Sequence, residues 1–159
     1  MKNASDSKRK DTASRIIKAS PHAIYQAFID PQAIVLWRPP KGMKALIYTF
    51  EPREGGIFRM SFGYADTKHS VPGKTSAHAD VFNGKFLKLI PDELIVELVE
   101  FESNDPAFAG EMTITTSLTP VPGGTEVTFV CENVPEGISP ADHQLGMSSS
   151  LENLAAFTE

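Results

Sequence analysis

The chain has 159 residues, of which 41% are apolar and 22% charged, so it can form one domain with a buried core and is not disordered throughout. Four of its 15 basic residues lie within residues 1–12, together with two of its 20 acidic residues. The rest of the chain carries 11 basic and 18 acidic residues, a net charge of −7. Such an acidic body repels phosphate backbones, which excludes general nucleic-acid binding.

The sequence also indicates the cellular compartment of the protein. No apolar run approaches the roughly 18 residues of a membrane span, and none follows the N-terminal lysines as a secretory signal would. We therefore expect a cytoplasmic protein without membrane contact. Cys131 is the only cysteine, which excludes an internal disulfide and a cysteine-rich zinc site.

The first twelve residues predict a disordered tail, because they contain no large apolar residue after Met1. A single domain is expected over residues 13–159, and its first strand over residues 15–18. Two short helices should follow. Ser20 before Pro21 and Asp30 before Pro31 each place a capping side chain ahead of a proline at the first helical position.

From residue 43 the apolar pattern changes to a period of two, which is typical of strands. In the first of these strands the alternation predicts that Leu46, Tyr48 and Phe50 share one face. Turn residues, and no helices, separate the segments, so we expect an antiparallel meander. The six predicted strands cover residues 44–50, 57–62, 77–89, 94–101, 112–119 and 126–131, with a long loop over residues 63–76.

The chain ends in a predicted long helix. Ser139 is its cap, Pro140 its first residue, and its apolar stripe contains His143, Met147, Leu151 and Leu154. A curved sheet needs one face covered, and this helix is the only predicted element long enough to cover it. The sequence therefore predicts an α+β fold in which a curved antiparallel sheet grips the C-terminal helix.

The order of elements, together with six short motifs, resembles the START-related helix-grip (SRPBCC) superfamily. The nearest resemblance is to the bacterial branch similar to the activator of the 90-kDa heat-shock-protein ATPase, grouped with polyketide cyclases. It covers residues 13–158. The motifs are Ser20 and Pro21 through Phe28; Leu36, Trp37, Pro40 and Gly42; Glu54, Gly55, Gly56, Phe58 and Arg59; Gly84, Lys85 and Phe86 with residues 90–94; Gly124, Thr125, Glu126 and Val127; and His143, Gly146, Leu151 and Leu154.

The resemblance implies a cavity between the sheet and the C-terminal helix that can hold a small apolar ligand. The family usually has Trp after the helix glycine, whereas this chain has Met147, which widens or softens that space. Gly146 and the serines at 148–150 border the cavity, let the helix approach the sheet closely, or face water. The candidate lining residues are Trp37, Tyr48, Phe58, Met60, Phe62, His78, His143, Met147, Ser150 and Leu151.

The chemistry-bearing residues form no recognisable catalytic or metal motif. The four histidines lack metal-ligand spacing, and among them His143 is the best polar contact for a ligand. Glu100 and Glu102 share one strand face, with Glu97 on the opposite face. Arg59 is expected on the outer face, or in the cavity if its strand bulges at Gly56. Cys131 is expected to be a buried small apolar residue.

Three hypotheses for function follow. The first is binding of a small hydrophobic ligand, and we expect binding rather than catalysis. The second is a polyketide-cyclase-like or hydrolase-like enzyme in the same cavity, which needs an acid–base pair that the sequence does not show among Tyr48, His78 and His143. The third is a protein-interaction domain similar to the chaperone-ATPase activator. A homodimer and a protein partner stay open, and no metal or cofactor is predicted.

Overall fold

The computed structural model describes residues 9–64 and 79–159, which fold as seven strands and three α-helices. The predicted tail up to residue 8, and the predicted loop from residue 65 onward, lie outside the described residues. The elements in chain order are β1 (Lys10–Ile17), α1 (Pro21–Ile29), α2 (Pro31–Trp37), β2 (Met43–Phe50), β3 (Ile57–Tyr64), β4 (Ala79–Ile90), β5 (Leu94–Phe101), β6 (Glu111–Val121), β7 (Gly124–Glu132) and α3 (Pro140–Thr158), with a 3-10 turn at Pro106–Phe108.

The strands form one antiparallel sheet in the order β1-β7-β6-β5-β4-β3-β2. The helices cover one face, called here the inner face, where α3 buries Met147, Leu151, Leu154 and Ala155. The predicted α+β fold and meander are confirmed. Because β1 pairs with β7, the first and last strands become neighbours and α3 returns across the sheet next to β1.

The predicted helix starts are confirmed by their caps. The Ser20 hydroxyl accepts a hydrogen bond from the Ala23 amide at 3.1 Å, and the Asp30 carboxylate accepts one from the Gln32 amide at 2.9 Å. Ser139 caps α3 in the same way. Such contacts involve residues two or three positions apart, so the local sequence is enough to specify them.

The first strand covers Lys10–Ile17 and so begins five residues earlier than the predicted strand over residues 15–18. Asp11 pairs with Cys131 and Thr12 with Val130 across the β1–β7 ladder. Backbone hydrogen bonds hold these residues in an edge strand, so the segment does not need apolar side chains to be ordered. The prediction of a disordered tail up to residue 12 is therefore wrong for residues 10–12.

The predicted face of β2 is also wrong. Leu46 and Tyr48 are 63% and 51% exposed on the outer face, whereas Ile47 and Phe50 pack against the core. The β2–β3 register shifts between Ile47 and Thr49, so Tyr48 is the extra residue of a β-bulge. The bulge shifts the alternation by one residue, so Phe50 lies on the face opposite to Leu46 and Tyr48. The apolar pattern of the sequence has a period of two throughout this segment and does not show the shift.

Candidate functional site

A cavity of about 750 Å³ lies between α3 and the inner face of the sheet. Most of its wall is apolar. The 38–41 segment after α2 and the 137–138 segment before α3 complete the rim among the described residues. The side chains from the sheet include Phe62, Phe82, Val99, Phe101, Ile114 and Phe129.

The small residues of α3 have two different roles. A Cβ added at Gly146 would meet no atom within 4 Å, so this residue borders open space on the cavity wall. Ser150 instead donates a hydrogen bond to the carbonyl of Arg38, and Ser149 accepts one from the amide of Lys41, both at 2.8 Å. The serines therefore attach the 38–41 segment to α3, whereas Gly146 leaves room.

Four of the ten predicted lining residues lie on the cavity wall: Phe62, His143, Met147 and Ser150. Phe58, Met60 and Leu151 are buried in the core and do not line the cavity. Tyr48 points to the outer face, as Leu46 does, and its hydroxyl lies 3.1 Å from that of Ser61. His78 lies outside the described residues.

Trp37 is a core residue beside the cavity and is not part of its wall. It is fully buried, and its Nε1 donates a hydrogen bond to the carbonyl of Ala27 at 2.9 Å. Its ring lies 4.8 Å from the Phe28 ring, edge to face. Since Trp37 is the last residue of α2, this packing fixes the position of Arg38, which follows it and does line the cavity.

Arg38 and Glu97 form a buried ion pair that the sequence analysis missed. The two guanidinium nitrogens donate to the two carboxylate oxygens at 2.7 and 2.9 Å, and the Glu97 side chain is only 3% exposed. Burial lowers the pKa of Arg38, but the neighbouring Glu97 carboxylate raises it by more than burial lowers it. The pKa of Arg38 therefore lies above its ordinary value. The sequence did contain a sign that Glu97 is buried, because the alternation placed it on the face opposite to Glu100 and Glu102. That opposite face is the one covered by the helices.

His143 also has a partner that the sequence analysis missed. Its Nδ1 lies 2.6 Å from a carboxylate oxygen of Asp11, and Arg9 contacts the same carboxylate at 2.9 and 3.2 Å. Burial raises the pKa of Asp11, but hydrogen bonds from His143 and Arg9 outweigh that effect and lower it. Asp11 was missed because it was assigned to the disordered tail, although β1 brings it into contact with His143.

Cys131 behaves as a buried apolar residue, as expected. Its sulfur lies 3.9 Å from that of Met147, and burial is the largest of the effects that raise the pKa of its thiol to about 12. A thiol of this kind stays protonated and is a poor nucleophile. Within residues 9–64 and 79–159, no three His, Cys, Asp or Glu side chains come together as metal ligands. None of the described helices is both long and apolar enough to cross a membrane.

Comparisons with known proteins agree with the fold. The sequence model of the family described as activator of Hsp90 ATPase homolog 1-like protein matches residues 18–159. A crystal structure of a protein from Chromobacterium violaceum is 30% identical, with a TM-score of 0.82 over 95% of this chain and 98% of that one. An NMR structure of an AHSA1-like protein from Aeromonas hydrophila is 17% identical, with a TM-score of 0.70 over 94% and 91% of the two chains, and shares the fold. None of the curated proteins compared with the chain matches it.

Proposed function

Because the chain belongs to the family of activator of Hsp90 ATPase homolog 1-like proteins, we propose that it binds a small, largely apolar ligand between α3 and the sheet. The observation that carries this proposal is the cavity itself. Its volume of about 750 Å³ falls within the range of roughly 300–1,000 Å³ that is common for small-molecule sites. Its wall is mainly apolar, with a few polar groups at defined positions, as in sites that orient a ligand.

The polar groups are held in place before any ligand arrives. Glu97 fixes the Arg38 guanidinium with two hydrogen bonds, and Asp11 fixes the His143 ring. Ser150 and Asn153 tie the carbonyls of Arg38 and Pro39 to α3. A wall that is ordered in advance loses little conformational entropy on binding, which favours affinity.

Gly146→Leu tests the proposal directly, because the new side chain would start from open space on the wall. The neutral fluorescent probe N-phenyl-1-naphthylamine should bind the wild-type protein and lose at least about tenfold in affinity in this variant, since leucine fills part of the volume. The fold should survive, because replacing glycine inside a helix gains up to about 1 kcal/mol in helix propensity. Circular dichroism and thermal melting test whether the variant keeps the fold and its stability.

Ser148→Leu is the matched control. Ser148 is exposed on α3 and does not line the cavity, so the same leucine there should leave probe affinity unchanged. Native mass spectrometry of the purified wild-type protein should in addition detect a retained small molecule. Equal probe binding by the wild-type and Gly146→Leu proteins would contradict the proposed cavity site.

A further inference from the structure

His143 is positioned on the cavity wall in a defined orientation. It lies one helical turn before Met147 on α3, and both residues line the cavity. Its side chain is 14% exposed, and that of Asp11 is 12% exposed. The short contact between Nδ1 and the Asp11 carboxylate leaves Nε2 as the ring nitrogen available to a ligand.

The chemistry of Asp11 decides the role of each ring nitrogen. Hydrogen bonds from Arg9 and His143 help keep the Asp11 carboxylate ionised, and an ionised carboxylate can only accept hydrogen bonds. Nδ1 must therefore carry the proton in this contact. In the neutral imidazole Nε2 is then an acceptor with a free lone pair, because a hydrogen bond at one ring nitrogen selects the tautomer at the other.

Nε2 has no protein partner within the described parts of the chain, yet it is not sealed away from solvent. Of the side-chain polar atoms in residues 9–64 and 79–159, only Thr116 Oγ1 is both buried and without a partner. Nε2 is therefore accessible, and the residue that carries it lines the cavity. An acceptor in this position is complementary to a hydrogen-bond donor on the ligand.

The charges around the cavity favour an uncharged ligand. The positive charge of Arg38 is already matched by Glu97, and Lys41 lies 3.2 Å from Glu152. Asp142 adds a carboxylate to the wall. Because the described part of the rim offers no surplus of positive charge, a carboxylate or phosphate there would lose its hydration without a matching cation.

We propose that His143 Nε2 accepts a hydrogen bond from the hydroxyl group of an uncharged, otherwise apolar ligand, such as a phenol or an alcohol. This inference rests on the proposed function and names the chemical class of its ligand. Asp11 is a positioning residue in this arrangement, since it orients the ring and selects the tautomer without touching the ligand.

The test compares 2-naphthol with 2-methoxynaphthalene, two probes of similar shape of which only the first has a hydroxyl donor. Affinities are measured by isothermal titration calorimetry at neutral pH in the wild-type protein and in His143→Phe, whose apolar ring cannot accept this hydrogen bond. The dissociation constant of 2-methoxynaphthalene divided by that of 2-naphthol measures the preference for the hydroxyl. This ratio should be about tenfold larger in the wild type than in His143→Phe, as expected for one satisfied hydrogen bond.

Asp11→Asn is the second variant, because an amide no longer holds the ring in one tautomer. It should lower the preference for 2-naphthol while 2-methoxynaphthalene binds as before, which a merely structural role of Asp11 would not produce. Equal ratios in the wild type and His143→Phe would overturn this inference and leave the cavity proposal standing. If neither probe binds the wild-type protein, the cavity proposal and this inference both fail.

Discussion

The two faces of the sheet each carry an arginine–glutamate pair, and the hydrogen-bond distances of the two pairs are nearly the same. Arg38 and Glu97 meet on the inner face at 2.7 and 2.9 Å, and Arg59 and Glu102 meet on the outer face, as expected for Arg59, at 2.6 and 2.9 Å. The side chains of the inner pair are 16% and 3% exposed, whereas those of the outer pair are 44% and 33% exposed. Distance alone therefore does not show what an ion pair contributes.

The surroundings give the two pairs different roles. Glu97 lies in the inner-face row between Phe86 and Ile114, so Arg38 is the cation that compensates its charge and ties the end of α2 to β5. The outer pair is open to water and salt, which weaken such interactions. There Arg59 also lies 4.8 Å from the centre of the Tyr48 ring. The inner pair shapes the cavity, and the outer pair covers the surface of a bulged strand.

The largest expected effect is on the inner pair. Glu97→Ala should lower the free energy of unfolding by about 3–5 kcal/mol, because it leaves the Arg38 cation buried without its carboxylate. Urea unfolding followed by circular dichroism measures this change.

The double variant Arg38→Met with Glu97→Leu is the control for that prediction. Removing both charges should recover most of the lost stability, since similar apolar volumes replace the pair. A loss below about 1 kcal/mol in Glu97→Ala would mean that the inner pair is as well solvated as the outer one.

The hydrogen bond between Asp11 and His143 lies at the rim of the inner face, and it tests where the ordered part of the chain begins. Deleting residues 1–12 should lower the free energy of unfolding by about 2–3 kcal/mol, because it removes this hydrogen bond and three residue pairs of the β1–β7 ladder. Deleting residues 1–8 should change the melting temperature by less than about 2 °C, since we propose that only this part is the tail. Equal melting temperatures for both deletions would show that residues 10–12 contribute nothing to the strand.

The smallest effect is expected on the outer pair. Hydrogen bonds from Arg59 and Asn83 lower the pKa of Glu102 to about 2, but the carboxylate is solvent-accessible, so Glu102→Gln should shift the melting temperature at pH 7 by less than about 3 °C. A carboxylate with a lowered pKa stabilises the fold above its ordinary pKa near 4.5 and loses that contribution as the pH falls towards 2.

The difference in melting temperature between the wild type and Glu102→Gln should therefore be constant above about pH 5. It should decrease to zero as the pH falls from 4.5 to 2. Thermal melts across this range measure it, and added salt should reduce the difference at pH 7. A difference that grows as the pH falls would contradict the sign of this shift.

The candidate site was less predictable than the fold. Phe62, His143 and Met147 were candidate lining residues of the cavity that the family resemblance implied, and the structure places them on its wall. Arg38 was missed because it follows α2, outside any periodic pattern. Its role depends on Glu97, which is 59 residues away in sequence. Asp11 was missed for a similar reason, since its partner is 132 residues away.

The sequence by itself determined what depends on near neighbours: the helix starts at Pro21, Pro31 and Pro140, the strand segments and the meander. Cap contacts and alternation act within a few residues, so they can be identified without the rest of the chain. Only the tertiary structure decided the bulge at Tyr48, the pairing of β1 with β7, and the partners of Arg38 and His143. These depend on which distant segments meet across the sheet, and burial then decides whether a charge there needs a partner.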